Sequence, residues 1–217
     1  KKLNNNEEPT LEELLEQETF TKTLNGGMIT IENSTGKIIS LVGGVDYKTS
    51  SFNRVIQSKR QPGSAVKPFI YQHALNLGYS TASPLIDISR TYEFEDPNAK
   101  VINEETGEEE KKKWQPRNYE GNYKGLISFR EALVHSRNLA TINLVNEIGI
   151  DVMYKGLQSF GLKDMPFDLS ITLGSFGISP LNLSEAYSIF SNYGVQVKPY
   201  IISSITNRYK DRIIFEP

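Results

Sequence analysis

The stretch RQPGSAVKPFIYQHALNLG, Arg60 to Gly78, leaves its backbone little freedom. Pro62 stiffens the approach and Gly63 permits a sharp turn. Phe69, Ile70, Ala74 and Leu77 then fall on one helical stripe. Pro68 has no N–H, so it belongs near the start of a helix and not in its middle. Gly78 suits the position just past a helix end. A helix therefore begins close to Ser64. Ser64 and Lys67 then lie at i and i+3, neighbours on one face. Two readings are open. In one, Ser64 is a helix cap and Lys67 is solvated. In the other, the hydroxyl is a nucleophile and a neutral Lys67 amine is its base, with free N–H groups at the helix start binding developing negative charge. S-x-x-K alone favours the first. The preceding QPG favours the second, because glycine leaves room for a substrate beside the serine.

Upstream, MITI (Met28 to Ile31) and KIISLV (Lys37 to Val42) are β-rich runs joined by the turn formers ENSTG, which predicts a hairpin. Residues 1–25 are polar and charged, with a short helical candidate from Leu11 to Glu18, and read as a linker ahead of a folded portion, 26–217. The segment between Gly43 and Gly63 is a long loop of the kind that carries function. Residues 79–125 read as irregular. Within them, the charge run Asn103 to Trp114 reads as a solvated hairpin or loop without chemistry. Ser179 to Gly194 reads as a helix. The closing stretch reads as one or two strands around a turn at Lys210–Asp211.

The chain has 217 residues, 38% apolar and 23% charged, enough for one sizeable core or two lobes sharing one. A net charge of −2 gives no reason to expect a nucleic acid or an anionic membrane as partner. The absence of cysteine excludes thiolate catalysis, disulfides and Cys-ligated zinc. His73 and His135 alone do not supply a multi-His metal site, and no cofactor is expected. No apolar run reaches the roughly 18 residues of a membrane span.

A second candidate is HSRN, in the break between two helical patterns running from Ser128 to Gly149. Ser128 and Glu131 have capping-box spacing at the start of the first. Leu139, Ile142, Val145 and Ile148 form the buried face of the second. In the break, Ser136 and Asn138 can share one side of an extended turn. A hydroxyl there can relay a proton to a leaving group, and a carboxamide can hold a peptide group. The plainer alternative is that Asn138 caps the helix starting at Leu139.

S-x-x-K followed by S-x-N, in this order, is part of the motif set of penicillin-binding proteins and serine β-lactamases. The chain resembles the transpeptidase domain of a class A, bifunctional penicillin-binding protein. The resemblance runs from about Gly27 to Gly194 and rests on STGKIISLVGG, SSFNRV, RQPGSAVKPFIYQHAL, WQPRNYEGNYKG, SFREALVHSRNLATINLV and SFGISPLNLSEAYSIFSNYG. It implies an α+β fold, an antiparallel sheet flanked by helices plus an all-helical lobe. It implies that Ser64 is the acylated nucleophile, Lys67 its base, Ser136 a proton relay and Asn138 a substrate-binding amide. Trp114, Asn118 and Tyr119 would line the cleft rim. Arg54, Arg60 and Arg137 read as structural or solvated. The implied reaction is D,D-transpeptidation, in which a peptidoglycan stem peptide on a glycan strand acylates the serine, D-alanine leaves, and a neighbouring stem's amine takes the acyl group. β-Lactam antibiotics would acylate the same serine. The implied location is the extracytoplasmic face of the membrane, anchored by a segment preceding residue 1.

One motif is missing. The Lys-Thr pairs, Lys22-Thr23 and Lys48-Thr49, both precede Ser64, and neither is followed by glycine. The family's K-T-G strand, with one of two oxyanion donors, is therefore expected from a complementary chain or a further segment, and the sheet is expected to be incomplete here. Two other functions share S-x-x-K: a serine β-lactamase, and a non-catalytic β-lactam sensor or wall-binding module. No E-x-x-L-N pattern follows Asn138, which disfavours the first, and WQPRNYEGNYKG disfavours both.

Overall fold

The computed structural model describes residues 24–94, 101–102, 109–110, 112–207 and 213–215. The helical candidate at Leu11 to Glu18 and much of the charge run lie outside them. In chain order the elements begin with strands β1 (Met28–Ile31) and β2 (Ile38–Val42), a 3-10 turn (Gly63–Val66) and helix α1 (Lys67–Asn76). Six short strands follow: β3 (Pro84–Asp87), β4 (Tyr92–Phe94), β5 (Val101–Ile102), β6 (Glu109–Glu110), β7 (Lys112–Trp114) and β8 (Gly125–Ser128). Helices α2 (Phe129–Val134), α3 (Asn138–Ile148) and α4 (Ile150–Ser159) come next, then a second 3-10 turn (Leu169–Leu173), α5 (Pro180–Ser191), β9 (Ile205–Thr206) and β10 (Ile213–Phe215).

The architecture is α+β, with antiparallel two-stranded ladders around a helical body. β1 and β2 form the expected hairpin, with Ile29 opposite Leu41. A parallel bridge from Lys37 to Tyr200 ties the hairpin to the later part of the chain. β3 pairs with β8, Pro84 opposite Ser128, and β4 pairs with β7, Tyr92 opposite Trp114. The described part of 79–125 is therefore not wholly irregular. Its strands are two to four residues long, and β3 with β8 and β4 with β7 pair across long intervals, so neither length nor local turn chemistry reveals them.

α1 is the centre of the core. It packs against α2, α3, α4 and both 3-10 turns, and Phe69, Ile70, Tyr71 and Ala74 are buried. Phe69 meets Phe160, Tyr187 and Phe190 with ring centroids 5.6, 5.0 and 5.0 Å away. Tyr71 meets Phe129 edge-on at 4.6 Å. The expected stripe errs at its end, where Leu77 is exposed and Tyr71 is buried instead. The expected helix start is also refined. Gly63–Val66 is wound as a 3-10 turn and the α-helix begins at Lys67, with Pro68 in its first turn. There its missing N–H is one that the helix could not have satisfied internally.

Ser128 caps α2 as expected, accepting a hydrogen bond from Glu131 N at 3.1 Å. Ser179 caps α5 in the same way, but α5 ends at Ser191 rather than Gly194. α4 was hidden because Gly149 reads as a helix end. It is also the N-cap of the next helix. No helix among the described residues is long and apolar enough to cross a membrane.

α1 and α4 approach closely where His73 lies over Gly156. A methyl group on Gly156 would fall 2.3 Å from the His73 ring. Gly156→Ala should therefore overpack this crossing and lower stability by about 1–3 kcal/mol, read as a reduced urea midpoint with an unchanged slope.

Candidate active site

Ser64 and Lys67 stand at the junction of the first 3-10 turn and α1. The turn is held from two sides. Tyr187 Oη donates to the Ala65 carbonyl at 2.7 Å. Gly174, at φ +65, backs onto Gly63, at φ +55, and a Cβ on Gly174 would lie 2.4 Å from Gly63 O. The contact excludes any side chain at Gly174, while Gly63 is favoured by its own positive φ. Ser64 is exposed, and its hydroxyl makes no hydrogen bond among the described residues. It caps nothing, because the N-cap of its turn is Pro62. The capping reading of Ser64 is thereby corrected.

The solvated reading of Lys67 fails as well. Lys67 is 1% exposed. Its Nζ donates to Ser136 O at 2.6 Å, to Asn138 Oδ1 at 2.7 Å and to Ser136 Oγ at 3.1 Å. The structure thus brings both halves of the S-x-N motif onto the lysine of S-x-x-K. All three acceptors are neutral, and among the described residues no carboxylate pairs with the amine. Burial pushes the Lys67 pKa down from 10.5 to about 8.

The acceptors are aimed by an unusual turn. Ser136 follows α2 with φ +50, the left-handed region that a non-glycine residue rarely adopts. This rotation turns its carbonyl toward Lys67. Asn138 is the first residue of α3, and its side chain caps nothing there. Its Nδ2 donates to Arg117 O at 3.2 Å, which leaves Oδ1 facing Lys67. The cap comes from elsewhere: Asn118 Oδ1 accepts from Leu139 N at 3.1 Å.

Behind the turn lies a buried ion pair that no local sequence signal announces. Asp87, at the end of β3, is fully buried, and Arg137 is 3% exposed. Both Arg137 Nε, at 2.9 Å, and one of its terminal nitrogens donate to Asp87 Oδ2. Asn118 Nδ2 donates to Asp87 Oδ1 at 2.9 Å, and Lys124 N to Oδ2 at 3.1 Å. Burial alone would raise the Asp87 pKa. The hydrogen bonds from Arg137, Asn118 and Lys124 outweigh it and hold the carboxyl below its ordinary 3.8. Arg137 also reaches Asn122 O at 2.8 Å and Glu120 at 3.3 Å.

The three residues expected at the cleft rim part company. Asn118 is buried, and its carboxamide is occupied by Asp87, Asn122 O and Leu139 N. Trp114 stacks obliquely on Tyr92, 5.8 Å away, beside a groove of about 370 Å³ that also meets Ile150 and Leu169. Tyr119 extends fully into solvent. Arg54 lies over the Phe52 ring, and Arg60 is exposed on a backbone bridge to Ile178.

The hydrogen bonds of Lys67 thus join the S-x-x-K and S-x-N motifs, with Ser64 exposed one turn away. The penicillin binding protein transpeptidase domain model matches residues 26–214. Penicillin-binding protein 1A of Neisseria lactamica is 35% identical over 184 residues, 84% of this chain and 22% of the relative. The protein of the same name from Aquifex aeolicus is 36% identical over 184 residues, 85% of this chain and 24% of the relative. The crystal structure of penicillin-binding protein 1A from Haemophilus influenzae matches with a TM-score of 0.74 at 32% identity, over 89% of this chain and 27% of that one. PonA1 from Mycobacterium tuberculosis, at 17% identity, shares the fold with a TM-score of 0.70 over 94% of this chain and 51% of that one. The chain belongs to the penicillin-binding protein transpeptidase family. It spans about a quarter or less of the length of the curated relatives named.

The ion pair makes two outcomes measurable. Arg137→Ala strands a buried carboxylate and should cost about 3–5 kcal/mol in urea unfolding at neutral pH. Because the folded-state pKa of Asp87 is lowered, its contribution is complete above 3.8 and is lost as pH falls through the folded value. The loss of stability on acidification below about pH 4 should therefore be shallower in Asp87→Asn.

Proposed function

We propose that this chain carries the acyl-serine centre of a peptidoglycan D,D-transpeptidase, with Ser64 as nucleophile, Lys67 as general base and Ser136 as proton relay. The observation that carries the reading is the buried Lys67 amine, with a pKa of about 8 and only neutral partners, one turn from an exposed serine. A lysine solvated at 10.5 would be almost wholly protonated at neutral pH and could not take a proton. At about 8, a useful fraction is free base.

The hydrogen-bond count supports the assignment. An ammonium has three donors, and here all three are engaged. A neutral amine keeps two and gains a lone pair, so one acceptor must let go. Ser136 Oγ makes the longest of the three bonds, 3.1 Å, and is the acceptor that lets go. The lone pair is then available to Ser64. Lys67 takes the Ser64 proton as Oγ attacks the carbonyl of the penultimate D-alanine. The tetrahedral adduct collapses and the terminal D-alanine leaves, its amine collecting the proton from Lys67 through Ser136. An amine of a neighbouring stem then attacks the ester, and the same relay returns the proton to Ser64. Asn138, through Nδ2 or Oδ1, would hold the stem-peptide backbone when substrate enters.

Solved structures of relatives support acylation at this kind of centre. Penicillin-binding protein A of M. tuberculosis is described as an imipenem acyl-enzyme complex, and PonA1 in complex with penicillin V. The K-T-G strand is absent from this sequence, so the full-length protein, or a complementary chain, would supply the second oxyanion donor. The reading places the centre on the extracytoplasmic face of the membrane, where stem peptides and β-lactams are met.

Incubating the full-length protein with a penicillin should give one covalent adduct by intact mass, mapping to Ser64 and absent in Ser64→Ala. An adduct that maps elsewhere, or none at all, would overturn the reading. Fast loss of the adduct would make the protein a hydrolase. Lys67→Ala should slow acylation by about 10²–10⁴-fold. The wild-type acylation rate should rise with pH around a midpoint near 8, where the Lys67 amine loses its proton.

A further inference from the structure

Left-handed φ at a serine persists only when its surroundings over-determine it. Part of the restraint at Ser136 is local: Ser136 N donates to Leu133 O at 3.0 Å and Arg137 N to Ala132 O at 2.9 Å, the Schellman pairing that closes α2. Arg137, the N-cap of α3, caps nothing with its side chain. The groups that fix the far side of the turn, Arg137 to Leu139, come from β3 and from the loop after β7. Asp87 binds the Arg137 guanidinium, Asn118 caps α3 at Leu139 N, and Arg117 O selects which end of the Asn138 carboxamide faces Lys67. Asp87 and Asn118 are themselves joined, 2.9 Å apart and both buried. Neither contacts Lys67.

We infer that Asp87 and Asn118 are positioning residues for the general base: together they hold the left-handed Ser136 turn that points Ser136 O and Asn138 Oδ1 at Lys67 Nζ. In this assignment the WQPRN stretch acts through its buried asparagine and a backbone carbonyl on the inner face of the turn. Loosening the turn has two consequences. The acceptors drift from Nζ, and water reaches an amine whose low pKa comes from burial. The charged groups flanking the turn, Arg137, Asp87 and Glu120, are paired with one another. In Asn118→Ala these pairs stay intact, so the change at Lys67 there is one of geometry and hydration.

The inference rests on the acyl-serine reading for its kinetic test but not for its spectroscopic one. In the full-length protein, Asp87→Asn and Asn118→Ala are compared with wild type by penicillin acylation and by NMR titration of lysine Cε. Both variants should lower the acylation rate constant by about 10²-fold, the cost of a displacement of about 1 Å, with non-covalent penicillin affinity nearly unchanged. In Asn118→Ala, which keeps the Asp87–Arg137 pair, the Lys67 titration midpoint should move up from about 8 toward 10.5. If Asp87→Asn does not fold, Asn118→Ala carries the test, because it leaves the Asp87–Arg137 pair in place. Lower melting temperatures with wild-type acylation and an unmoved Lys67 midpoint would reduce both residues to structural support and overturn the inference. If wild type is not acylated at all, the acyl-serine reading fails, while the Lys67 midpoint in Asn118→Ala still decides the positioning.

Discussion

A lysine amine buried without a carboxylate is the constraint around which this structure is arranged. Burial disfavours the Lys67 ammonium, and the shift from 10.5 to about 8 corresponds to about 3 kcal/mol of destabilisation below pH 8. The sign follows from proton counts. Between about pH 8 and 10.5 the unfolded chain binds more protons than the folded one, so this penalty fades as pH rises through that window. The apolar body around α1, with Phe69, Ile70, Tyr71 and Ala74 inaccessible, has to outweigh it. Loss of stability at a reactive group is a common feature of catalytic sites.

The chain meets that demand by supporting the site from a distance. Lys67 finds its acceptors 69 and 71 residues downstream. The turn bearing those acceptors is fixed by Asp87, 50 residues before Arg137, and the turn bearing Ser64 is fixed by Tyr187 and Gly174. The buried Asp87–Arg137 pair is a weak source of net stability, since desolvation consumes much of the attraction. Its value is directional. A guanidinium held by two nitrogens on one carboxylate leaves the residues on either side little rotational choice.

This division explains what the sequence discloses and what it hides. Ser64, Lys67, Ser136 and Asn138 are legible because each pair lies within a short motif. The hairpin, α1 with its early proline, and the caps at Ser128 and Ser179 are legible because their chemistry is local. Asp87 is not, because nothing within PLID distinguishes a keystone carboxylate from a strand end. Asn118 was visible as part of WQPRNYEGNYKG, but its orientation depends on a partner strand. α4 and the short strands escaped for the same reason: one glycine serves two helices, and ladders such as Pro84 to Ser128 have no signal short of the folded chain.

The long intervals also bear on when the site comes into being. Contacts of such sequence separation form only after large loops have closed, and so late in folding. Until then Lys67 is an ordinary solvated amine, Ser64 an ordinary hydroxyl, and the Ser136 carbonyl has no reason to turn left-handed. If Ser64 is the acylated group, a nascent or partly unfolded chain is therefore chemically silent toward acylating agents. On the acyl-serine proposal, reactivity at Ser64 would belong to the completed tertiary structure, which would make the serine's own chemistry a sensor of whether the molecule has finished folding.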